Sequence, residues 1–503
     1  VRPRRLIFTS ISILIASALF FERVTPARGA DSFIQCASRY LKAATGSKLD
    51  FERWLRQRKV ESYFEMNKNI SIEGAPGAVV AAPVSDSGNS YTYFWVRDGA
   101  IVMDTELKYL ETLRPKTPLA ERTLKKLKEW VTTSRKAQLS KSQHGLNQGK
   151  HSLQGDKIEQ EWSDQSDGPA RRAITGIHFA KFLAQKDPNY VRTVLYDGKW
   201  PDTQSFIKTD LEHILKYWND NPNKPSEKTT DLWEEVYGYH FWTRMKHYGA
   251  MAEGADLAES LKDPAAASAY RAALPRIKGA LDDHWDAEKR MFVATIQQQG
   301  HEYKTSGIDS SVIAALVEAD GPHAPISVID DRSLSTINRY ESRFREEYAK
   351  LIADKRFSNA IPIGRYPEDK YTGGNPWPLL ITYYSRFYAL AARRFENKGS
   401  ITISSTNKDF FRDLLARSPI QGKLTAGRIQ SGDKFDSGSP EFGQLIEAIR
   451  DRSDDYLRVL RELTPETAKQ SEQSDRVTGK PVGPERLTWN FASFLEALWA
   501  RKP

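Results

Sequence analysis

From about residue 50 to the end of this 503-residue chain, apolar side chains recur three and four positions apart. The period runs through FERWLRQRKVESYF, AIVMDTELKYLETL, RRAITGIHFAKFLA, SFIKTDLEHILKYW, WPLLITYYSRFYALAARRF and LTWNFASFLEALW, among roughly a dozen such segments. Each needs cover for its apolar stripe, and no Pro/Ser-rich linker or change of composition divides them into sets. The pattern predicts one large all-helical domain over residues 31–503, with a core that 39% apolar residues can supply. GAVVAAPV, residues 77–84, is the best strand candidate. The polar stretches 141–160 and 420–440 read as long surface loops.

Residues 1–30 stand apart: VRPRR is a basic start, LIFTSISILIASALFF an apolar run, and TPARGA a small-residue cleavage region. This is the pattern of a secretory signal peptide and implies a secreted or periplasmic protein; only an uncleaved leader would bring a membrane into play. The segment holds five Arg and one Glu, so without it the formal charge of +9 falls to about +5. Elsewhere basic residues alternate with acids, as in RSDDYLRVLREL, and no block suited to phosphate tracking is present, so no nucleic-acid partner is expected. The single Cys36 cannot form an internal disulfide, and the nine His show no ligand spacing, so no metal is expected on His.

The chemistry-bearing residues gather in five loops: YTYFWVRDGA (91–100), EWSDQSDGPARRA (161–173), DLWEEVYG (231–238), GRYPEDKYTGGNPW (364–377) and KQSEQSDRVTG (469–479). Each reads as preceding a helix. Helices packed around a common axis would bring loops at one end to one cavity, where Trp and Tyr faces suit pyranose rings and Asp, Glu and Arg suit hydroxyls. Asp98, Asp167 and Asp231 also fit helix N-terminal acids taken one at a time. Five such loops together point to a sugar site.

The order of WVRD, DGPA, DLWEEV, RYPED with GNPW, SEQ and LTW resembles the catalytic domain of glycoside hydrolase family 15, the glucoamylases, over essentially all of residues 50–500. The resemblance implies an (α/α)6 barrel of six inner and six outer helices, with the active site in loops at one end. It implies release of β-glucose from the non-reducing ends of α-1,4-linked glucans and maltooligosaccharides by an exo-acting, inverting hydrolase. It also implies Glu234 as general acid and Glu472 as general base, with Trp233 and Glu235 touching substrate. By the same likeness Arg97, Asp98 and Arg365 hold the terminal glucose, and Tyr91 and Trp95 wall the first subsite. Trp162 stacks over the substrate, the Leu232 carbonyl accepts a hydroxyl, and Trp377 and Trp489 line the pocket or join the core.

Asp231 is the rival base. Three residues from Glu234 on a helical turn, it would lie about 5 to 6 Å away, whereas an inverting pair needs roughly 6.5 to 9.5 Å for water. Asp231 and Glu235 are therefore expected to raise the pKa of Glu234, with burial beside Trp233. Departures from the family pattern, at Ser166, Tyr237, Gly373 and the shortened loop from Trp162 to Asp167, fall around the outer subsites and leave linkage and chain length open. An α-1,6-glucan hydrolase, a trehalase, or a non-catalytic carbohydrate-binding protein are the alternatives, the last disfavoured by the presence of both Glu. The two-carboxylate reaction calls for no cofactor. A monomer acting on soluble oligosaccharides is expected, with no separate starch-binding domain.

Overall fold

The computed structural model describes residues 47–83, 91–158, 161–196, 205–219, 228–299, 304–355, 357, 359–420 and 422–501. The expected signal peptide and Cys36 lie outside the described residues. By internal contacts the chain divides into two units, residues 1–60 and 61–503. No helix among the described residues is long and apolar enough to cross a membrane.

Fifteen α-helices lie among the described residues. The twelve besides Pro188–Tyr190, Ala349–Lys355 and Lys408–Arg417 are α1 (Ser47–Lys68), α2 (Val96–Thr112), α3 (Pro118–Leu139), α4 (Asp167–Leu183), α5 (Phe206–Asn219), α6 (Phe241–Ser260), α7 (Pro264–Asp282), α8 (Ser311–Glu318), α9 (Asp331–Glu347), α10 (Pro378–Lys398), α11 (Pro440–Leu463) and α12 (Thr488–Arg501). The even-numbered helices form a closed ring. α2 packs on α4, α4 on α6, α6 on α8, α8 on α10 and α10 on α12, and α12 returns to α2. On the outside, α3 packs against α2, α5 against α4, α7 against α6 and α11 against α10.

Burial separates the two layers. Helix α10 buries every side chain from Pro378 to Ala392, as a helix enclosed on all sides must. Helix α11 buries a stripe that includes Phe442, Leu445, Ile449, Tyr456 and Leu460 and leaves its other face to water. Start signals agree with this frame: Thr117, Asp263 and Ser439 cap α3, α7 and α11 with side-chain oxygens, and Pro follows each cap.

Across the waist of the inner ring each helix contributes a charged residue: Asp104, Arg171, Lys246, Glu318, Arg386 and Glu496. Arg171 spans Asp104 at 3.1 Å and Glu318 at 3.3 Å, and Arg386 spans Glu318 at 2.9 Å and Glu496 at 3.4 Å. Lys108 closes the circuit with Glu496 at 3.0 Å and Asp104 at 3.5 Å. Such a set fixes helix register, because sliding one helix would strand a buried charge.

Two expectations, one of a strand and one of a loop, need correction. The described part of GAVVAAPV, residues 77–83, forms no strand; Val79 and Val80 make only isolated bridges to Ile70 and Phe94. The described part of 141–160 is a surface loop only at its two ends: residues 147–152 are buried, and Lys150–His151 form a strand, β2, paired with β1 (Phe94–Trp95). The described part of the other polar stretch, 420–440, lies mostly exposed, with Lys434–Asp436 paired to Ser400–Thr402.

Glu318→Ala removes the carboxylate shared by Arg171, Arg386 and Lys246. Breaking a buried pair in this way costs about 3 to 5 kcal/mol. A matching fall of the urea midpoint is expected, and a loss near zero would show that the ring does not hold the inner helices.

Candidate active site

The five loops meet at the N-terminal ends of the inner helices, where the helix dipoles favour negative charge. Arg97 and Asp98 lie in the first turn of α2 and Asp167 opens α4. DLWEEVYG leads instead into a strand. Its residues 231–236 link β3 (Thr229–Thr230) to β4 (Tyr237–His240), which pairs with β5 (Thr295–Gln299), and α6 follows directly. Glu472 precedes a hairpin of β6 (Gln473–Ser474) and β7 (Pro481–Val482), ahead of α12.

The 231–236 link is not a helical turn, which corrects the spacing argument made for Asp231. Glu234 has φ of 67°, in the left-handed region that costs a non-glycine residue energy and persists only where neighbours enforce it. Asp231 supplies that enforcement. Its carbonyl accepts from the Glu234 amide at 3.0 Å, and its Oδ1 accepts from the amides of Glu235 and Val236 at 2.8 and 3.0 Å. Oδ2 accepts from Lys304 Nζ at 2.5 Å. Burial alone would raise this carboxyl, but Lys304, His240 and the amides hold it at about 2.

Glu234 faces a different set of groups. Trp162 Nε1 donates to its Oε2 at 2.5 Å, Gln165 Nε2 donates to Oε1 at 3.0 Å, and an Arg97 nitrogen stands 3.8 Å from Oε1. Burial pushes the Glu234 carboxyl above its ordinary range; Arg97 and the two donors oppose the rise, and Asp98 adds to it. The acid neighbour is thus Asp98 rather than Asp231 or Glu235, and the indole beside the carboxyl is that of Trp162 rather than Trp233. The left-handed turn causes both differences by aiming successive side chains apart.

Glu235 pairs with Arg365 at 2.8 Å and accepts from Tyr366 Oη at 2.5 Å. Arg365 is itself gripped from the other side by Asp369, in a bidentate contact at 2.8 and 2.6 Å. The rings of Trp233, Tyr366, Tyr371 and Trp377 lie 5.0 to 5.5 Å from its guanidinium carbon. Trp233 donates to Asp309 at 2.9 Å, and Asp309 also pairs with Lys304, so one buried ammonium anchors the loops ahead of both α6 and α8. The Leu232 carbonyl accepts no hydrogen bond among the described residues.

Glu472 is 5% exposed. Tyr91 Oη donates to it at 2.7 Å and Gln473 Nε2 at 3.0 Å. Burial raises this carboxyl, and Tyr91, Gln473 and Arg365 pull it back. Gly483, at φ 77°, allows the close approach: a Cβ there would stand 3.1 Å from Glu472 Oε2. Tyr371 joins the second wall, 3.3 Å from Tyr91 Oη, and the Tyr91 and Trp95 rings lie 6.4 Å apart. Trp377 and Trp489 are both mostly buried. Trp489 donates to Tyr383 at 3.2 Å while Arg97 lies over its ring.

Several groups escaped the sequence reading. Gln165, Tyr366, Asp369 and Tyr371 lie inside the loops already singled out, so proximity to Glu234 and Arg365 was the available signal. Asp309 precedes α8 as an N-terminal acid. Lys304 and Lys150 carry no local signal; Lys150 Nζ lies 3.5 Å from the Trp162 ring centre and 4.3 Å from that of Tyr93.

The profile of glycosyl hydrolases family 15 matches residues 63–499. A glucoamylase of Blastobotrys adeninivorans is 30% identical over 476 residues, 90% of this chain and 72% of that protein. Among solved structures, a family 15 glucoamylase from Hypocrea jecorina superimposes with a TM-score of 0.77 at 25% identity, covering 90% of this chain and 72% of that one. A Saccharomycopsis fibuligera glucoamylase gives 0.76 at 24% identity, covering 90% and 95%. Both carry the fold of alternating inner and outer helices found here, the (α/α)6 barrel.

Tyr91→Phe removes a hydrogen bond that favours the ionised form of Glu472. Its pKa therefore rises further, and carbon-13 carboxyl titration of glutamate-labelled protein reads the shift. An unchanged or lowered value would contradict this balance.

Proposed function

The chain belongs to glycosyl hydrolases family 15, and on that premise we propose that Glu234 and Glu472 make it an inverting, exo-acting glucoamylase. The substrate is an α-1,4-linked glucan or maltooligosaccharide, and the product is β-glucose from the non-reducing end. One observation carries the reading: a half-buried Glu234 and a buried Glu472 stand on separate loops, each with its own donors, among the rings of Tyr91, Trp162, Trp233 and Trp377.

The reaction has simple proton accounting. Protonated Glu234 gives its proton to the glycosidic oxygen as the bond from C1 to that oxygen breaks. Ionised Glu472 takes a proton from water, whose oxygen bonds to C1 from the opposite face. Solvent then restores both carboxyls. Burial and Asp98 favour the neutral form of Glu234, which suits a donor. Burial raises Glu472 as well, but Tyr91, Gln473 and Arg365 all favour its ionised form, which suits a base. Arg97 beside Asp98, and Arg365 with Glu235, offer charged partners for the hydroxyls of the terminal glucose, and the Leu232 carbonyl offers an acceptor. Asp231 serves as a positioning residue that holds the turn carrying Glu234. The leader-like residues 1–30 support export to the periplasm or outside the cell, and we read the active form as a monomer.

Glu472→Gln keeps size and hydrogen bonding but cannot take a proton. The expected outcome is a fall in kcat on maltotetraose of about 10² to 10⁴-fold, with maltotetraose affinity by calorimetry nearly unchanged. Full activity would pass the base role to another acid. Glucose from isomaltose or trehalose alone would move the substrate while keeping the chemistry.

A further inference from the structure

Beyond the charged ring, on the side away from the active-site loops, the inner helices enclose a cavity of about 600 Å³. Its walls come from the later turns of α2, α4, α6, α10 and α12, from the end of α8 and from the turn after it, residues 319–325. Since all inner helices start at the candidate site, this cavity opens at the other end of the barrel.

Positive charge in it is incompletely matched. Among the described residues, Lys246, 2% exposed, makes no hydrogen bond; the carboxylate it pairs with, Glu318, lies 4.0 Å away, and its ammonium sits 4.2 Å from the Trp242 ring centre. Glu318 is already occupied by Arg386 at 2.9 Å, Tyr383 Oη at 3.0 Å and Arg171 at 3.3 Å. The Nε atoms of Arg171 and Arg386 have no acceptor either. Arg393, two turns beyond Arg386 on α10, also lines the cavity and has no acidic partner among the described residues.

The remaining acids on the wall are committed. Glu253 pairs with Lys181 at 2.9 Å, Asp104 with His178 at 2.6 Å, Glu496 with Lys108 at 3.0 Å and Asp320 with Arg394 at 2.8 Å. Burial presses the Lys246 amine down to about 7, a sign of how little negative charge compensates it. A buried polar group is ordinarily hydrogen-bonded, and a buried ammonium without an acceptor is costly. What the cavity lacks is an acceptor with negative charge.

We propose that this cavity is a second binding site, for a small oxyanion of the phosphate or carboxylate class, held by Lys246 and Arg393. It is separate from the glucan site and independent of the reaction assigned there. Its occupant would supply the acceptors that Lys246 and Arg393 lack and reach them through the open end of the barrel.

The test is calorimetric titration of the full chain with inorganic phosphate and, separately, malonate, at pH 6 and constant ionic strength. Saturable binding of one equivalent is expected, with maltotetraose present or absent. A preference for phosphate or for malonate identifies the source of the oxyanion. Lys246→Met should weaken binding by about tenfold or more, since a charge-assisted hydrogen bond is lost. Arg393→Gln, at the wall and outside any ion pair, should do the same and keeps the test decisive if the Lys246 variant does not fold. No binding of either anion, binding that survives both substitutions, or displacement by maltotetraose would overturn the proposal.

Discussion

The candidate site depends on keeping carboxyl groups out of water while leaving each a different set of neighbours. Desolvation alone raises every buried acid. What distinguishes Glu234 from Glu472 is the company each keeps: Arg97, Trp162, Gln165 and Asp98 for the first, Tyr91, Gln473 and Arg365 for the second. Asp231 shows the opposite extreme, with Lys304 and two amides holding it ionised at about 2. Of three acids in one region, two are thus raised, each against a different set of neighbours, and one is lowered. The loops are the means by which each acid meets its own partners.

The barrel supplies the rigidity those differences require. Six inner helices close on themselves and five of them are cross-linked at the waist by ion pairs, so their N-terminal ends stand in fixed relation. The loops inherit that geometry. Lys304 ties Asp231 to Asp309, and Trp233 Nε1 reaches the same Asp309, so the turn carrying Glu234 is braced from the start of the next inner helix. The strained φ of Glu234 persists because this bracing opposes its relaxation.

Much of this was legible in the sequence. The helical period identified the twelve-helix architecture because inner helices, buried all round, and outer helices, buried on a stripe, both keep apolar residues three and four apart. The loops were legible as clusters of Trp, Arg and acids. The surroundings of Glu234 were not, because a left-handed turn sends Asp231, Trp233 and Glu235 away from it, and no propensity favours that turn at a Glu. Lys150 was equally hidden: in a polar stretch, nothing local shows that an ammonium lies on the faces of Tyr93 and Trp162. Long-range partners such as Lys304 with Asp231, 73 positions apart, exist only once the barrel has closed.

The stereochemistry of the released sugar tests the account most directly. Proton NMR of a maltotetraose digest, read before mutarotation equalises the anomers, should show β-glucose appearing first. That result follows from water attacking C1 on the face opposite the leaving group, with Glu472 as base. Early α-glucose would contradict the two-carboxylate inversion on which the roles of Glu234 and Glu472 rest.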